Sequence, residues 1–93
     1  TPFTDLITLG RTLANDIVVL DTSVSRFQAF FRQRDGKWYI CDAGSRNGTR
    51  ISGKKLPPRT ELLLEDRALI EFGSVPMNFY TANGLYDLLS RGS

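Results

Sequence analysis

The chain has no histidine and a single cysteine, Cys41, among its 93 residues. A structural zinc site needs about four cysteine or histidine ligands, so the composition excludes one. A Ser-His or Cys-His nucleophile pair is excluded for the same reason, and a lone cysteine forms no disulfide within the chain. We expect Cys41, which falls inside a strand pattern, to be a small packed thiol. So little cysteine favours a reducing, intracellular setting, which is the cytoplasm or, alternatively, the nucleus.

Long apolar runs and strong helix signals are also scarce. No run approaches the roughly 18 residues of a membrane span, and no signal-peptide pattern is visible, so we expect no membrane partner. Only the segment from Leu85 to Arg91 has leucines at helical spacing. The length allows one hydrophobic core, which predicts a single domain over residues 1–93. Because the chain starts at Thr1 and not at methionine, we expect this domain to be excised from a larger protein.

The chain instead contains a series of short strand patterns. Apolar and β-branched runs are separated by turn residues about every 8 to 12 positions, which predicts an all-β sandwich followed by a short C-terminal helix. The predicted strands are Leu6–Leu9, Ile17–Leu20, Phe27–Gln33, Lys37–Asp42, Thr49–Ser52, Glu61–Leu64, Ala68–Phe72 and Val75–Thr81. Alternation in the third run places Phe27, Ala29 and Phe31 on one face and Gln28 on the other.

Positive charge is concentrated in the middle of the chain. Residues 22–60 contain nine basic and two acidic residues, a net charge of +7, whereas the whole chain carries +2. The basic residues are Arg26, Arg32, Arg34, Lys37, Arg46, Arg50, Lys54, Lys55 and Arg59. This asymmetry favours an anionic partner, and the alternative is a soluble sheet whose outward positions are basic. We expect no nucleic acid, because the aromatic residues occupy strand positions typical of a core and do not form an exposed stacking row.

Three polar clusters fall where predicted strands end. They are Gly10-Arg11 with Asn15-Asp16, Ser25-Arg26, and Gly44-Ser45-Arg46-Asn47-Gly48-Thr49. Arginine, serine and asparagine side chains fixed at loop tips hold a phosphate group without reacting with it. No general base with a partnered nucleophile is visible. The clusters therefore predict a non-catalytic binding module that uses no cofactor and no metal.

The order of these clusters matches a known family. Together with Val24, Trp38, Asp42 and Gly73 they fall at spacings that resemble those of the forkhead-associated (FHA) domain, from about Leu9 to Phe79. The resemblance implies a sandwich of two twisted, mainly antiparallel sheets, usually of eleven strands, with the binding loops at one end. It also implies a partner protein or peptide that contains phosphothreonine. We expect the module to be a monomer.

The resemblance also assigns the phosphate-binding residues. By motif match, Arg11 contacts the phosphate or braces the loop that does, and Ser25 donates its hydroxyl to a phosphate oxygen. Arg26 supplies charge or peptide contacts. Ser45 and Arg46 occupy the loop where the family often places a further hydroxyl or basic side chain on the phosphate. The planar fork of donors on arginine suits two phosphate oxygens, which agrees with these roles.

The remaining site residues are predicted to hold the peptide and the loops. Asn47 is expected to bind the peptide main chain, because its amide both donates and accepts. Gly10, Gly48 and Gln28 are predicted to brace the loops. The chain departs from the family pattern at Gln28, where the family usually has histidine. A further departure is Glu65-Asp66, in place of a common Gly-Asp turn.

Plainer alternatives remain for these residues. Arg11 and Arg26 also fit as solvent-facing surface residues, and Ser25 and Asn47 fit as ordinary turn residues. The departure at Gln28 keeps open a second function, an FHA-type interaction domain with a degenerate site that binds its partner without phosphate.

Overall fold

Hydrogen bonds between the predicted runs produce two β-sheets. The structure, a computed structural model, describes residues 6–91. Within that range it contains nine strands and one helix. They are β1 (Leu6–Gly10), β2 (Ile17–Val18), β3 (Ala29–Arg34), β4 (Lys37–Asp42), β5 (Thr49–Ile51), β6 (Lys54–Lys55), β7 (Glu61–Leu64), β8 (Leu69–Phe72), β9 (Val75–Asn78) and α1 (Ala82–Arg91).

The two sheets have five and four strands. The first has the order β2-β1-β3-β4-β7, and the second has the order β6-β5-β8-β9. All pairs are antiparallel except β1 with β2, which run parallel. The predicted all-β sandwich with a C-terminal helix is therefore confirmed. An additional N-terminal strand before β1 would lie outside the described residues.

The core lies between the sheets. Its buried apolar residues are Leu9, Val24, Ala29, Phe31, Ile40, Leu56, Leu64, Ile70 and Phe72. Phe31 and Phe72 join the two sheets through an edge-to-face contact, with ring centroids 6.3 Å apart. Cys41 is also buried, and this burial raises the pKa of its thiol. Trp38 is half-buried against the core.

The start of the third strand was predicted wrongly. The strand begins at Ala29, and Phe27 lies before it, 46% exposed and stacked on Phe30. Gln28, which the alternation placed on the face away from Ala29, is fully buried together with Ala29. Two consecutive buried residues break the two-residue period of a strand. The break arises because the Gln28 side chain reaches inward to neighbouring loops.

Three other boundaries differ from the prediction by two or more residues, and the remaining differences are of one residue. The second strand contains only Ile17 and Val18, because its partner β1 ends at Gly10 and the N–H of Asp21 then donates to the Val19 carbonyl in a turn. Leu20 is 80% exposed. The last strand ends at Asn78. The helix begins three residues earlier than predicted, at Ala82, because the Thr81 hydroxyl accepts the N–H of Gly84 at 3.1 Å and caps the first turn.

Strand direction brings the predicted binding loops to one end. In the first sheet Leu9 pairs with Ala29, and Ala29 pairs with Asp42. In the second sheet Thr49 pairs with Phe72. The loops that follow β1, precede β3, join β4 to β5 and follow β8 therefore share one end, which we call the loop end. The β3–β4 hairpin and the start of α1 lie at the other end.

No helix within residues 6–91 is both long and apolar enough to cross a membrane. The same range contains no group of three or more histidine, cysteine, aspartate or glutamate side chains placed to hold a metal ion.

Candidate binding site at the loop end

All of the predicted site residues lie at the loop end. Gly10 and Arg11 end β1 and open the next loop, and Ser25, Arg26 and Gln28 lie between β2 and β3. Ser45, Arg46, Asn47 and Gly48 form the connection from β4 to β5. Three segments that are distant in sequence are thus brought together, and hydrogen bonds fix them to one another.

Asp42, the last residue of β4, anchors the connection to β5. Its Oδ2 atom accepts the N–H groups of Gly44 and Ser45, both at 2.9 Å. Its Oδ1 atom accepts the hydroxyls of Ser45 at 2.6 Å and Thr49 at 2.7 Å. Burial of Asp42, which is 2% exposed, raises the pKa of its carboxyl, but these four hydrogen bonds outweigh burial and lower the pKa below its usual value.

Gln28 joins the loop before β3 to the same connection. Its side-chain carbonyl accepts the N–H of Ser25 at 2.8 Å. Its amide nitrogen lies 2.9 Å from both Ser45 Oγ and the Gly48 carbonyl oxygen, and 3.1 Å from Thr49 Oγ1. The amide group therefore provides an acceptor on one side and donors on the other, both of which are needed here.

The Ser45 hydroxyl is fully used within the protein. It donates its one proton to Asp42 and accepts from the amide of Gln28 and from the N–H of Gly48, at 3.0 Å. A hydroxyl has one donor and two acceptor lone pairs, so Ser45 has no proton left for a ligand. The sequence predicted a phosphate contact for Ser45, and the geometry instead gives it a positioning part in the loop.

Unlike Ser45, Ser25 does not donate its hydroxyl proton within the described part of the protein. Its Oγ atom accepts the backbone N–H of Arg46 at 2.8 Å, which joins the tips of two loops. Within residues 6–91 the Ser25 hydroxyl donates to no protein acceptor. Its proton is therefore available to an incoming oxygen atom, and the Arg46 N–H holds the hydroxyl in place.

Arg11 is exposed, and hydrogen bonds hold its backbone and its Nε atom. Its backbone N–H donates to the Ser25 carbonyl at 3.0 Å, and its Nε atom donates to the Val24 carbonyl at 2.9 Å. Neither terminal nitrogen of the guanidinium has a hydrogen-bond or ion-pair partner in the described part of the chain. The side chain is therefore oriented by the Ser25 loop, and four N–H donors remain free.

Gly10 allows the close approach of the two loops. A Cβ atom at this position would collide with the carbonyl oxygen of Arg26. Asn15 donates to that same oxygen from its side chain at 2.8 Å. The Arg26 backbone is thereby held against β1, while its side chain is exposed.

Asn47 and Gly48 connect the loop to its other neighbours. The Asn47 amide donates to the Ser23 carbonyl at 2.9 Å. Gly48 has φ +84°, a conformation that favours glycine, and its carbonyl accepts the N–H of Gly73 at 3.0 Å. The Asn47 side chain thus has one donor committed to the fold, and its carbonyl oxygen makes no hydrogen bond among the described residues.

Sequence reasoning missed three contributors to this site. Asp42 and Thr49 were part of the motif but received no role, although an aspartate at a strand end, two positions before Gly44-Ser45, is a signal for a side-chain-capped turn. Ser23 was also missed. Its hydroxyl contacts Ser74 Oγ at 2.9 Å and accepts the Ser74 N–H at 2.9 Å, so it ties the Ser25 loop to the turn after β8.

The fold and the loops define a class of protein. A two-sheet sandwich holds an arginine, a serine and an asparagine on loops at one end, where their hydrogen-bonding groups are braced by a buried Asp–Gln network. The family model described as "FHA domain" matches residues 7–73, which is most of the chain. The chain belongs to the FHA domain family.

Similar proteins agree with this assignment. An "Oxoglutarate dehydrogenase inhibitor" of Corynebacterium diphtheriae is 35% identical over 72 residues, which are 77% of this chain and 48% of the relative. The chain spans less than half the length of the curated relatives it matches. Their activities as whole proteins are therefore not carried over.

Solved FHA structures share the fold. The structure of EmbR from Mycobacterium tuberculosis in complex with a low-affinity phosphopeptide has a TM-score of 0.76 and 25% identity, and the match covers 83% of this chain and 20% of EmbR. The MEK1 FHA domain in complex with a phosphothreonine peptide of HOP1 has a TM-score of 0.73 and 26% identity, over 83% of this chain and 80% of that chain.

Proposed function

We propose that this chain is a phosphothreonine-dependent peptide-binding module that mediates a regulated protein–protein interaction. The observation that carries the proposal is the pairing of Ser25 and Arg11. One side chain has a free hydroxyl proton, the other has free guanidinium donors, and both are fixed by the same loop. Structures of related FHA domains in complex with phosphopeptides support phosphopeptide binding as the function.

The chemistry of phosphothreonine matches these donors. Near neutral pH it carries about −1.5 to −2 charges and has three acceptor oxygens. A hydrogen bond to a charged group contributes about 1.5–3 kcal/mol. Two or three such bonds come from the side chains of Arg11, Ser25 and Arg46. Together with a contact between Asn47 and the peptide main chain, they correspond to micromolar binding, about −8 kcal/mol.

We further propose that the module acts by binding alone, inside the cell. The buried carboxylate at the site, that of Asp42, accepts four hydrogen bonds and has a lowered pKa, so it is poorly suited to act as a general base. Gln28, which stands where the family usually has histidine and so allowed for a degenerate site, bridges the binding loops. No observation at this site favours the phosphate-independent alternative.

The direct test is a titration with three matched peptides that differ only in carrying threonine, phosphothreonine or phosphoserine. We expect only the phosphothreonine peptide to bind at micromolar concentration. Arg11→Ala should weaken that binding by about a hundredfold and Ser25→Ala by about tenfold, from the loss of charge-assisted hydrogen bonds.

The matched control for this titration is Lys37→Ala, which removes an exposed cation at the β3–β4 hairpin, away from the loop end. We expect its affinity to equal that of the wild type. Equal affinity of the wild type for phosphorylated and unphosphorylated peptides would contradict the proposal and favour the phosphate-independent function.

A further inference from the structure

Two cations lie against the loop that joins β4 to β5, and the proposed function does not use them. A Cβ atom built on Gly44 would lie 3.0 Å from Nη2 of Arg59, and one built on Gly48 would lie 3.0 Å from Cε of Lys55. Both glycines have positive φ, +86° and +84°. Arg59 and Lys55 thus pack on the bare backbone at the two ends of the five-residue segment 44–48 of this loop.

Main-chain hydrogen bonds hold the backbone at both cations. The N–H of Arg59 donates to the carbonyl of Asp42 at 2.8 Å, next to the anchor of the loop. Leu56, which follows Lys55 and is buried in the core, donates its N–H to the Thr49 carbonyl at 2.8 Å. The backbone from which the two exposed side chains extend is therefore held by the same network that holds the phosphate-binding loops.

No acidic side chain of the described residues neutralises these cations. The Asp42 carboxylate is occupied by four hydrogen bonds within the loop. Glu61, the next acidic residue along the chain, forms its ion pairs with Arg34 at 3.1 Å and Arg32 at 4.0 Å. The described ion pairs of the molecule involve neither Lys55 nor Arg59.

The charge at the loop end exceeds what one phosphothreonine neutralises. Its phosphate carries at most about −2 charges, and Arg11 and Arg46 already match it. Lys55 and Arg59 are additional to this pair. One residue of backbone separates Arg46 from each of the two glycines that Arg59 and Lys55 contact. Because the Arg46 N–H binds the Ser25 hydroxyl, the second pair of cations lies on the order of 10 Å from that hydroxyl.

We propose that Lys55 and Arg59 form a second anion subsite, which binds an acidic or phosphorylated side chain of the same peptide. An extended peptide advances about 3.3 Å per residue, so the second anion lies two to four residues from the phosphothreonine. The ligand class is then a phosphothreonine peptide with a nearby second negative charge. This inference rests on the proposed function and adds a selectivity that the phosphate-binding residues alone do not provide.

The test compares the wild type with two double variants of equal charge. Lys55→Ala/Arg59→Ala removes the subsite. Arg50→Ala/Lys54→Ala removes two exposed cations that the loop glycines do not contact. Arg50 lies opposite Lys55 and Lys54 lies opposite Ile51, so this control removes the same charge directly beside the subsite. The peptides have one phosphothreonine and neutral flanks, or the same sequence with aspartate or phosphoserine placed two, three or four residues to either side. Fluorescence anisotropy gives the ratio of affinities for the anionic and neutral peptides.

We expect the wild type to bind one placement of the anionic peptide about three- to tenfold more tightly than the neutral peptide. This ratio should fall to about one in Lys55→Ala/Arg59→Ala and persist in Arg50→Ala/Lys54→Ala. A larger gain from phosphoserine than from aspartate identifies a second phosphate as the ligand, and equal gains identify a carboxylate. Circular dichroism melting of each variant establishes that it is folded.

Two results would overturn the inference. One is a wild-type affinity ratio near one at every placement of the second anion. The other is an equal decrease of this ratio in both double variants, which would indicate a general electrostatic attraction by the basic surface and not a specific subsite. Neither affects the proposed function, provided that the neutral phosphothreonine peptide binds and that Arg11→Ala weakens this binding as expected. Absence of any phosphothreonine binding by the wild type would overturn both.

Discussion

The side-chain carbonyl of Gln28 accepts the backbone N–H of Ser25 at 2.8 Å, while its amide nitrogen donates across to the Gly48 carbonyl at 2.9 Å. One fully buried amide therefore sets the distance between the loop that holds the free hydroxyl and the loop that holds Asn47. Glutamine performs this bridging at a position where the family usually has histidine. The bridge requires both a donor and an acceptor, and this requirement leads to the first prediction.

Replacing Gln28 with histidine and with leucine should have different effects. Neutral histidine has one donor and one acceptor, so Gln28→His keeps part of the bridge and should cost about 1 kcal/mol of stability. Gln28→Leu has a similar volume but leaves the N–H of Ser25 unpaired and removes the amide donor to the carbonyl of Gly48, and should cost about 3 kcal/mol and most of the phosphopeptide affinity. Urea unfolding and peptide titration measure the two effects. Equal stability of the two variants would contradict the bridging role.

Asp42 should be the least replaceable acidic residue of the described chain. Asp42→Asn keeps the shape but places an NH₂ group against N–H and O–H donors, so at least two of the four hydrogen bonds are lost. We expect a loss of about 3 kcal/mol in the free energy of unfolding. The matched control is Asp35→Asn in the β3–β4 turn, where φ is +52° and asparagine is equally well accommodated. A comparable loss in both variants would disprove the anchor role of Asp42.

The same carboxylate predicts a loss of stability in acid. The pKa of Asp42 in the folded protein lies below its ordinary value of 3.8. The stability contributed by its charge is therefore fully present above the unfolded pKa, about 3.9, and is lost as the pH falls through the lower folded value. Urea midpoints at about pH 5 and about pH 2.5 should differ more in the wild type than in Asp42→Asn. An identical acid dependence in the two proteins would show that other carboxylates dominate.

Gly10 should be required for binding more than for folding of the sheets. A methyl group there meets the Arg26 carbonyl, so Gly10→Ala must displace the Ser25–Arg26 loop from β1. We expect at least a tenfold loss of phosphopeptide affinity, since a displacement of about 1 Å disrupts a preorganised site. Gly36→Ala is the control: its φ of +76° makes alanine cost about 1 kcal/mol of stability, but no atom lies within 4 Å of the new methyl group.

The sequence pattern predicted the sheet interior more accurately than its ends. In β3 the two-residue alternation placed Ala29 and Phe31 on one face, and both are buried in the core, because apolar periodicity reports directly which face a strand buries. It failed at Phe27, since the inward position was taken by the polar side chain of Gln28. A polar residue is buried only where its partners exist, and those partners are distant in sequence.

The location of the site residues was predictable from the sequence, but the hydrogen-bonding role of each side chain was not. Loop position and motif order placed Arg11, Ser25 and Asn47 at one end of the sandwich. The Ser45 hydroxyl donates its proton to Asp42, whereas the Ser25 hydroxyl keeps its proton free. This difference depends on which neighbour lies within 3 Å of each oxygen. No local pattern contains that information. The contacts of Lys55 and Arg59 with the loop glycines were missed for the same reason.

The C-terminal helix should be separable from the binding site. Asp66 accepts the N–H of Thr81 at 2.9 Å and pairs with Arg67, which in turn contacts Asp87 of α1 at 3.3 Å. Asp66→Ala should therefore release the start of α1 and lower stability by about 1 kcal/mol. Because Trp38 and Thr81 line the same cleft, the fluorescence emission of Trp38 should change when the start of α1 detaches.

Phosphopeptide affinity should be unchanged in Asp66→Ala, since β8 runs from the Asp66 turn to the loop end and separates the helix from the site. Glu65→Ala is the matched control, because it removes a neighbouring exposed carboxylate that makes no side-chain contact with α1 among the described residues. It should leave the Trp38 emission and the helical circular dichroism signal as in the wild type. A parallel loss of affinity and helix docking in Asp66→Ala would instead mean that α1 contributes to the organisation of the binding loops through the sheet.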